Sequence, residues 1–182
     1  MMRPRFQYAL LLGIIAGFTA GGCEEKIKPS VLPGIEAANL PQQESWNSTI
    51  VLSDSGRVLA RIQAGYVQKF DSPQETNMSQ GIVVFFYNDL GQQTTTMWAS
   101  RGVVNERTYD LRAEGNVVVV SDDSTKLRSE RLFWDNRRRQ IHTPEFVSVT
   151  SSREKVQGQG FESDQRLRNY KIFKVTAQIR TD

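Results

Sequence analysis

The chain offers few side chains that could carry out catalysis or bind a metal. Its one histidine, His142, lies in a predicted strand beside a turn, without an acidic or cysteine partner at ligand spacing. A lone histidine is more often a surface or packing residue than a ligand or a base. A phosphate-binding glycine loop, a G-x-S-x-G elbow and an H-x-x-x-H pair are missing from the 182 residues. We therefore expect a non-enzymatic protein that holds no cofactor and no metal.

The acidic residues leave one catalytic alternative open. The chain has 20 aspartates and glutamates, and two of them could converge into the carboxylate pair of a glycan hydrolase. Acids such as Glu130 and Asp135 fall on predicted solvated strand faces or in turns, where ion pairing is the usual role. The hydrolase is therefore the less favoured interpretation.

The single cysteine, Cys23, can form neither an intrachain disulfide nor a cysteine-rich metal site. It follows a basic start, an apolar stretch over residues 6–18 and a run of small residues, which is the layout of a secretory signal. Small residues before a cysteine are also typical of bacterial lipoproteins, in which the cysteine thiol is diacylated and the chain is cut before it, although Ala20 stands where leucine is usual. Lipidation of Cys23 and an uncleaved anchor both remain open, because residues 6–23 reach the lower length limit for crossing a bilayer.

Either anchor would tether an exported domain to a membrane, with the basic N-terminus on the cytoplasmic side. Residues 1–22 are predicted to be the signal peptide or anchor. Residues 23–46 contain three prolines and no periodicity, which indicates an extended linker. Residues 47–182 are long enough for one folded domain.

The charge distribution argues against nucleic acid as a partner. Arg3 and Arg5 supply two of the 23 basic residues, so the rest of the chain has nearly equal numbers of basic and acidic side chains. The only basic run, residues 137–139, is short enough to be a solvated turn.

Short runs of β-branched and aromatic residues, separated by turn residues, predict an almost entirely β domain. The predicted strands cover residues 48–52, 58–70, 81–87, 93–105, 109–120, 126–134, 140–143, 146–150, 155–162 and 170–178. Turns are predicted at residues 54–56, 88–91 and 122–124, which are rich in Asp, Asn, Ser and Gly.

A weak internal repeat indicates which side chains face the interior. Apolar positions at Val104, Leu111, Val117 and Val119 recur thirty residues later as Trp134, Ile141, Val147 and Val149. Each copy is predicted to be a strand–turn–strand unit that stacks on its neighbour. Residues 111–119 also alternate between apolar or small and mostly polar side chains, as a strand with one solvated face does.

Three ordered segments resemble the LptC family of the lipopolysaccharide transport machine, which shares its repeat with the bridge protein LptA and the organic-solvent-tolerance domains. They are 98–105 (WASRGVVN), 111–119 (LRAEGNVVV) and 127–135 (LRSERLFWD), and the segments 140–143, 147–149 and 158–164 follow in family order. The resemblance spans roughly residues 58–172. It implies an antiparallel β-jellyroll, open along a seam, after an N-terminal membrane anchor.

The resemblance also implies a function. The protein would receive lipopolysaccharide from an inner-membrane ABC transporter of the LptB2FG type and pass it to an LptA-type bridge protein through a hydrophobic groove. The expected lipid-binding interior consists of Val104, Leu111, Val117, Val119, Leu132, Trp134, Ile141, Val147 and Val149. The alternative for each of these residues is an ordinary core position that never touches lipid.

The resemblance further implies partner docking by strand addition at the sheet edges, and unpaired strands can indeed be extended by another chain. The resemblance implies that the first strands meet the transporter and that the last strand meets the bridge protein. The expected docking residues are Gly160, Tyr170, Ile172 and Val175. A lipoprotein that uses the same fold for another lipid, or for adhesion, is the alternative function.

Overall fold

The computed structural model describes residues 40–180, which form ten antiparallel strands and, within that range, no helix. The strands are β1 (Gln43–Asp54), β2 (Arg57–Asp71), β3 (Gln74–Tyr87), β4 (Gln93–Ala99), β5 (Arg101–Asn105), β6 (Leu111–Ser121), β7 (Lys126–Asp135), β8 (Gln140–Thr150), β9 (Glu154–Asp164) and β10 (Tyr170–Arg180). The all-β prediction is confirmed.

The strands form one sheet in the order β1-β2-β3-β4-β6-β7-β8-β9-β10, and β5 continues the line of β4 between β3 and β6. Neighbours in the sheet are mostly neighbours in sequence, because short turns join successive strands. The strands β1 and β10 are the two edges of the sheet.

A line of backbone irregularities crosses the sheet near the middle of its strands, and we call it the spine. It contains the positive-φ residues Asn47, Gln80, Gly81, Gly115, Asn116 and Gly160, together with Gly65, Ser100, Glu130, Pro144 and Glu145 at breaks in strand pairing. The irregularities face one another: Gly81 donates a backbone hydrogen bond to Ser100, and Ser100 donates one to Gly115. Bulges of this kind bend strands.

The spine divides the sheet into two layers that face each other. The first layer contains residues 48–64, 82–99, 117–129, 146–159 and 174–180, and the second contains residues 43–46, 66–79, 101–114, 131–143 and 161–173. Phe86 of the first layer contacts Trp134 of the second, with ring centroids 5.2 Å apart, although β3 and β7 are not neighbours in the sheet. The fold is therefore an antiparallel β-jellyroll.

The core fills the space between the layers and follows strand alternation. Along β8, for example, Ile141, Thr143, Val147 and Val149 are buried. The outward face is mixed: Val83, Phe85, Val118 and Val120 are half-buried there, beside the exposed ring of Trp98. These four residues belong to two runs, 83–86 and 117–120, in which every side chain is apolar, so both faces of the strand are apolar there.

Several predicted strand bounds differ from the structure. The strand predicted over 93–105 is divided at Ser100, and the strands predicted over 140–143 and 146–150 form one strand, β8. Both differences occur at the spine, where β4 gives way to β5 and where β8 bulges around Pro144. A proline is tolerated at a bulge because no ladder hydrogen bond is required of it there.

The starts of three strands also differ from the prediction by two residues or more. Strand β3 begins at Gln74, seven residues before the predicted start, because residues 74–79 pair with β2. Strand β1 begins at Gln43, within the segment predicted to be linker, because Gln43 pairs with Lys69 of β2. The strand predicted to begin at residue 109 begins at Leu111, since Tyr109 has a φ of +59° and completes the preceding turn.

Candidate functional site

The predicted interior residues lie together, and all nine are buried in one apolar cluster. In the second layer, Val104 pairs with Leu111, Leu111 with Trp134, and Trp134 with Ile141, which gives one continuous row across four strands. In the first layer, Val119 and Val149 both pair with Leu127. The thirty-residue repeat thus corresponds to rows of side chains running across the sheet.

The space between the layers is filled by these side chains. A partly open gap of about 10 Å³ lies among Leu52, Phe86, Leu111 and Trp134, which is at the lower limit for holding a water molecule. An acyl chain therefore needs the two layers to move apart. The buried polar residues between 40 and 180 are all threonines and serines, so the interior gives no support to a hydrolase built on a carboxylate pair.

Opposite the spine, the turns of the first layer meet the turns of the second along a line that we call the rim. Arg139 of the second layer pairs with Asp89 of the first at 3.6 Å. Further along, Gln165 donates from Nε2 to the Thr94 hydroxyl at 3.0 Å and to the Tyr87 carbonyl at 3.2 Å. These contacts are polar and cross from one layer to the other.

The rim continues to the last strand. Arg166 donates to the carboxylate of Asp122, and Arg168 lies 3.8 Å from the other oxygen of the same carboxylate. At its far end, the Tyr170 hydroxyl donates to Glu154 at 2.8 Å. Polar side chains therefore fasten the two layers on the side where no strand connects them.

The loop between β9 and β10, residues 165–169, supplies most of these contacts. Asp164 shapes it by accepting hydrogen bonds from the backbone N–H groups of Arg166, Arg168 and Asn169. This is the usual way in which an aspartate organises a turn. Between the two arginines, Leu167 is 1% exposed and belongs to the core cluster. One short loop thus carries both an interior side chain and the rim ion pairs.

At the far end of the rim, the hydrogen bond between Tyr170 and Glu154 shifts the pKa values of both side chains. Burial, together with the Glu154 carboxylate, raises the pKa of Tyr170 to about 12. Hydrogen bonds from Tyr170 and Gln178 lower the pKa of Glu154. The pair is therefore a neutral tyrosine and an ionised glutamate over the ordinary pH range.

The predicted docking residues occupy different environments. Tyr170 and Ile172 are half-buried and pack against the core, whereas Val175 is 55% exposed on the free edge strand β10. Gly160 lies in β9, one strand in from the edge, and a Cβ atom there would come 3.0 Å from the ring of Phe173. Gly160 therefore allows β10 to pack closely against β9, and it is not itself on the free edge.

In the sequence, the two glycines of segment 158–160 indicate a bulge or a close backbone approach, whereas the residues that shape the rim were missed. A Cβ atom at Gly158 would lie 2.3 Å from the Lys174 carbonyl oxygen, closer than any contact at Gly160, so Gly158 fixes the approach of β10. At the rim, Asp89 and Asp122 have the sequence context of ordinary turn residues, because their partners lie far along the chain. A leucine within the polar segment 164–169 was the one local signal.

The side chains that could have carried out catalysis or bound a metal have no catalytic or ligand partner among the described residues. His142 is half-buried and stacks on Phe133, with ring centroids 5.4 Å apart. Within residues 40–180 no group of His, Cys, Asp and Glu side chains is arranged to hold a metal ion, and no helix there could span a membrane. Cys23 and the predicted anchor lie outside the described residues.

The fold and the site define an all-β jellyroll protein with an apolar interior, a polar rim and two unpaired sheet edges. Residues 44–180, from β1 to β10, match the family model described as Lipopolysaccharide-assembly, LptC-related, and the chain belongs to this LptC family. No curated protein matches the chain. Family membership confirms the predicted relationship, gives a role in lipopolysaccharide transport and indicates an envelope-associated protein.

Proposed function

We propose that this chain is a non-enzymatic carrier that takes lipopolysaccharide from an inner-membrane ABC transporter and passes it to a periplasmic bridge protein. The observation that carries the proposal is the arrangement of the interior: all nine predicted lipid-binding positions are buried in one apolar cluster between the two layers. Shielding acyl chains from water is worth about 0.8 kcal/mol per CH₂ group, so a carrier needs a long apolar interior.

The path of the lipid runs through the rim. Strands connect the two layers at the spine, whereas side-chain contacts alone join them at the rim. Exposed ion pairs and hydrogen bonds of this kind are each worth about 1 kcal/mol or less. Acyl chains can therefore enter between the layers when the rim contacts separate, and the sugar head stays in water.

Transfer between proteins uses the two edge strands. On β10, Phe173, Val175 and Ile179 are exposed apolar residues next to an unpaired backbone edge, and on β1 Trp46 and Val51 are exposed. Such edges accept a strand from a partner. In this proposal β1 meets the transporter and β10 meets the bridge protein.

The membrane anchor is part of the same proposal. The domain is held on the periplasmic side of the inner membrane either by an acylated Cys23, after residues 1–22 have been removed, or by the uncleaved apolar segment within residues 1–22. Mass spectrometry of the mature N-terminus distinguishes the two forms. An acylated Cys23 at the N-terminus supports the lipoprotein, an intact Met1 supports the uncleaved anchor, and an unmodified chain cut elsewhere contradicts both.

Photo-crosslinking in cells tests the proposed cargo. A diazirine amino acid at Val119 reports on the interior, and the same residue at Arg128, exposed on the outer face, is the matched control. We expect lipopolysaccharide adducts at Val119 and none at Arg128. Adducts of another lipid at Val119 would support the alternative carrier, and equal labelling at the two positions would contradict an interior site.

A further inference from the structure

The β9–β10 loop holds an unusual backbone conformation against the interior. Leu167 has a φ of +57°, a region that leucine rarely adopts, and its side chain is inserted into the core cluster. Such a conformation persists where the surrounding contacts enforce it. Here those contacts include the hydrogen bonds to Asp164 and the ion pairs of the neighbouring arginines.

The arginines on either side of Leu167 have more hydrogen-bond donors than the structure gives them acceptors. Arg166 and Arg168 share the one carboxylate of Asp122. The Nε atom of Arg166 is buried and has no hydrogen-bond partner among residues 40–180. Two guanidinium groups on one carboxylate leave free donor directions, although Asp123 also lies near Arg168 and lowers the local positive charge. A phosphate group, with several acceptor oxygens and up to two charges, matches such a pair of arginines better than one carboxylate does.

The position of these arginines suits the head group of a lipid held in the interior. They lie on the rim, and in the chain they are the residues on either side of the buried Leu167. An amphiphile whose acyl chains lie between the layers must leave its polar head at this boundary with water. A phosphate near the acyl chains would therefore come within reach of both guanidinium groups.

We propose that Arg166 and Arg168 bind a phosphate on the head group of the amphiphile, and that this phosphate replaces Asp122 and releases the β9–β10 loop from the interior. The inference rests on the proposed carrier function and adds the head-group chemistry to it. Loss of the Asp122 contact frees the loop, and withdrawal of Leu167 makes room for an acyl chain. Phosphate recognition and opening of the interior are then one event.

The test compares two probes on the full-length chain: lipid A carrying both phosphates, and the same lipid A after both phosphates have been removed. Crosslinking at Val119 measures occupancy of the interior as the lipid concentration rises. We expect the double variant Arg166→Gln/Arg168→Gln to raise the half-saturating concentration of the phosphorylated probe about tenfold, and that of the dephosphorylated probe less than about twofold. Arg128→Gln, on the outer face, is the matched control and should change neither value.

A second variant tests the exchange itself. Asp122→Asn keeps both arginines but removes the competing charge. The half-saturating concentration of the phosphorylated probe should therefore fall, by a factor of up to about three. An unchanged value would overturn the exchange, and this variant also serves if the double arginine variant does not fold.

The outcomes separate this inference from the carrier function. If wild-type protein takes up both probes equally well, the phosphate site is wrong and the carrier function stands. If the double variant loses both probes to the same extent, the arginines only support the fold and the inference is overturned. If neither probe reaches Val119 in the wild-type protein, the carrier function fails and this inference fails with it.

Discussion

The spine and the rim join the same two layers in different ways, the spine through the backbone and the rim through side-chain contacts. At the spine, continuous strands carry the chain from one layer to the other, and bulges with left-handed residues such as Gly115 and Asn116 bend them. At the rim, partly exposed side chains such as Arg139, Asp89 and Asp122 make the contacts. The comparison shows how one sheet can be a permanent scaffold along one side and an entrance along the other.

The largest loss of stability on substitution is expected in the core, whose side chains connect the two layers between the spine and the rim. Trp134→Ala removes the ring that contacts Phe86 across the interior, and we expect it to lower the free energy of unfolding by about 3–5 kcal/mol, because a buried aromatic leaves a cavity. Chemical denaturation monitored by circular dichroism measures the change. A loss below about 1 kcal/mol would show that the two layers do not pack as described.

The spine should be the next most sensitive region. At Gly115, φ is +81° and a Cβ atom would lie 2.8 Å from Ser100, so Gly115→Val combines backbone strain with overpacking. We expect a loss of about 2–4 kcal/mol in the free energy of unfolding. Gly91→Val, at a positive-φ turn glycine with open space around it, is the control for strain alone and should cost less. Equal losses in the two variants would contradict the close contact at the spine.

Substitutions at the rim should lower the stability less than substitutions at the spine, and the loss should depend on pH. Tyr170→Phe removes the hydrogen bond to Glu154, and we expect a loss of about 1 kcal/mol at neutral pH. Because this bond lowers the pKa of Glu154, its contribution is present above the ordinary glutamate pKa and is lost as the pH falls through the lowered value. Because the pKa of Tyr170 is raised to about 12, the contribution is also lost as the pH rises from the ordinary tyrosine value toward 12.

Thermal denaturation as a function of pH checks this prediction. The difference in melting temperature between wild type and Tyr170→Phe should be constant near neutral pH and should shrink toward both extremes. A difference that stays the same at low pH would mean that Tyr170 contributes through packing and not through Glu154.

The smallest effect is expected for the rim ion pair nearest to β1. Arg139→Gln removes a pair in which the side chains are 41% and 68% exposed, so the loss in stability should be between 0 and about 1 kcal/mol and should vanish at high salt. Melting curves at low and high ionic strength measure it. A loss comparable to that of Gly115→Val would remove the contrast between rim and spine.

The parts that sequence predicted are those with a local pattern. The repeat of Val117 and Val119 at Val147 and Val149 predicted the buried rows, because strand alternation and short turns fix which side chains face the core. The spine was not predicted apart from the glycine segment 158–160, since residues such as Ser100 and Glu130 carry no local signal for a bend. Bulge positions depend on pairing with neighbouring strands.

The rim could not be predicted for a related reason. Gln165 reaches Tyr87, 78 positions earlier in the chain, and Arg166 reaches Asp122, 44 positions earlier. Such contacts exist after the sheet has folded on itself, so neither residue type nor spacing indicates them. The predicted docking residues came from the family resemblance, and their roles stay predictions.

Distance measurement between paired spin labels tests the central claim, that lipid enters by separation of the rim while the spine stays closed. One pair, at Leu90 and Arg137, spans turns on the two sides of the rim, and a second pair, at Arg112 and Arg128, flanks the spine on exposed outer positions. Labels introduced through unnatural amino acids leave Cys23 intact. On addition of lipopolysaccharide we expect the rim distance to lengthen by several ångströms and the spine distance to stay constant, since acyl chains occupy space between layers that are now in contact. Lipid bound with no change at the rim, or with equal change at both pairs, would contradict the account.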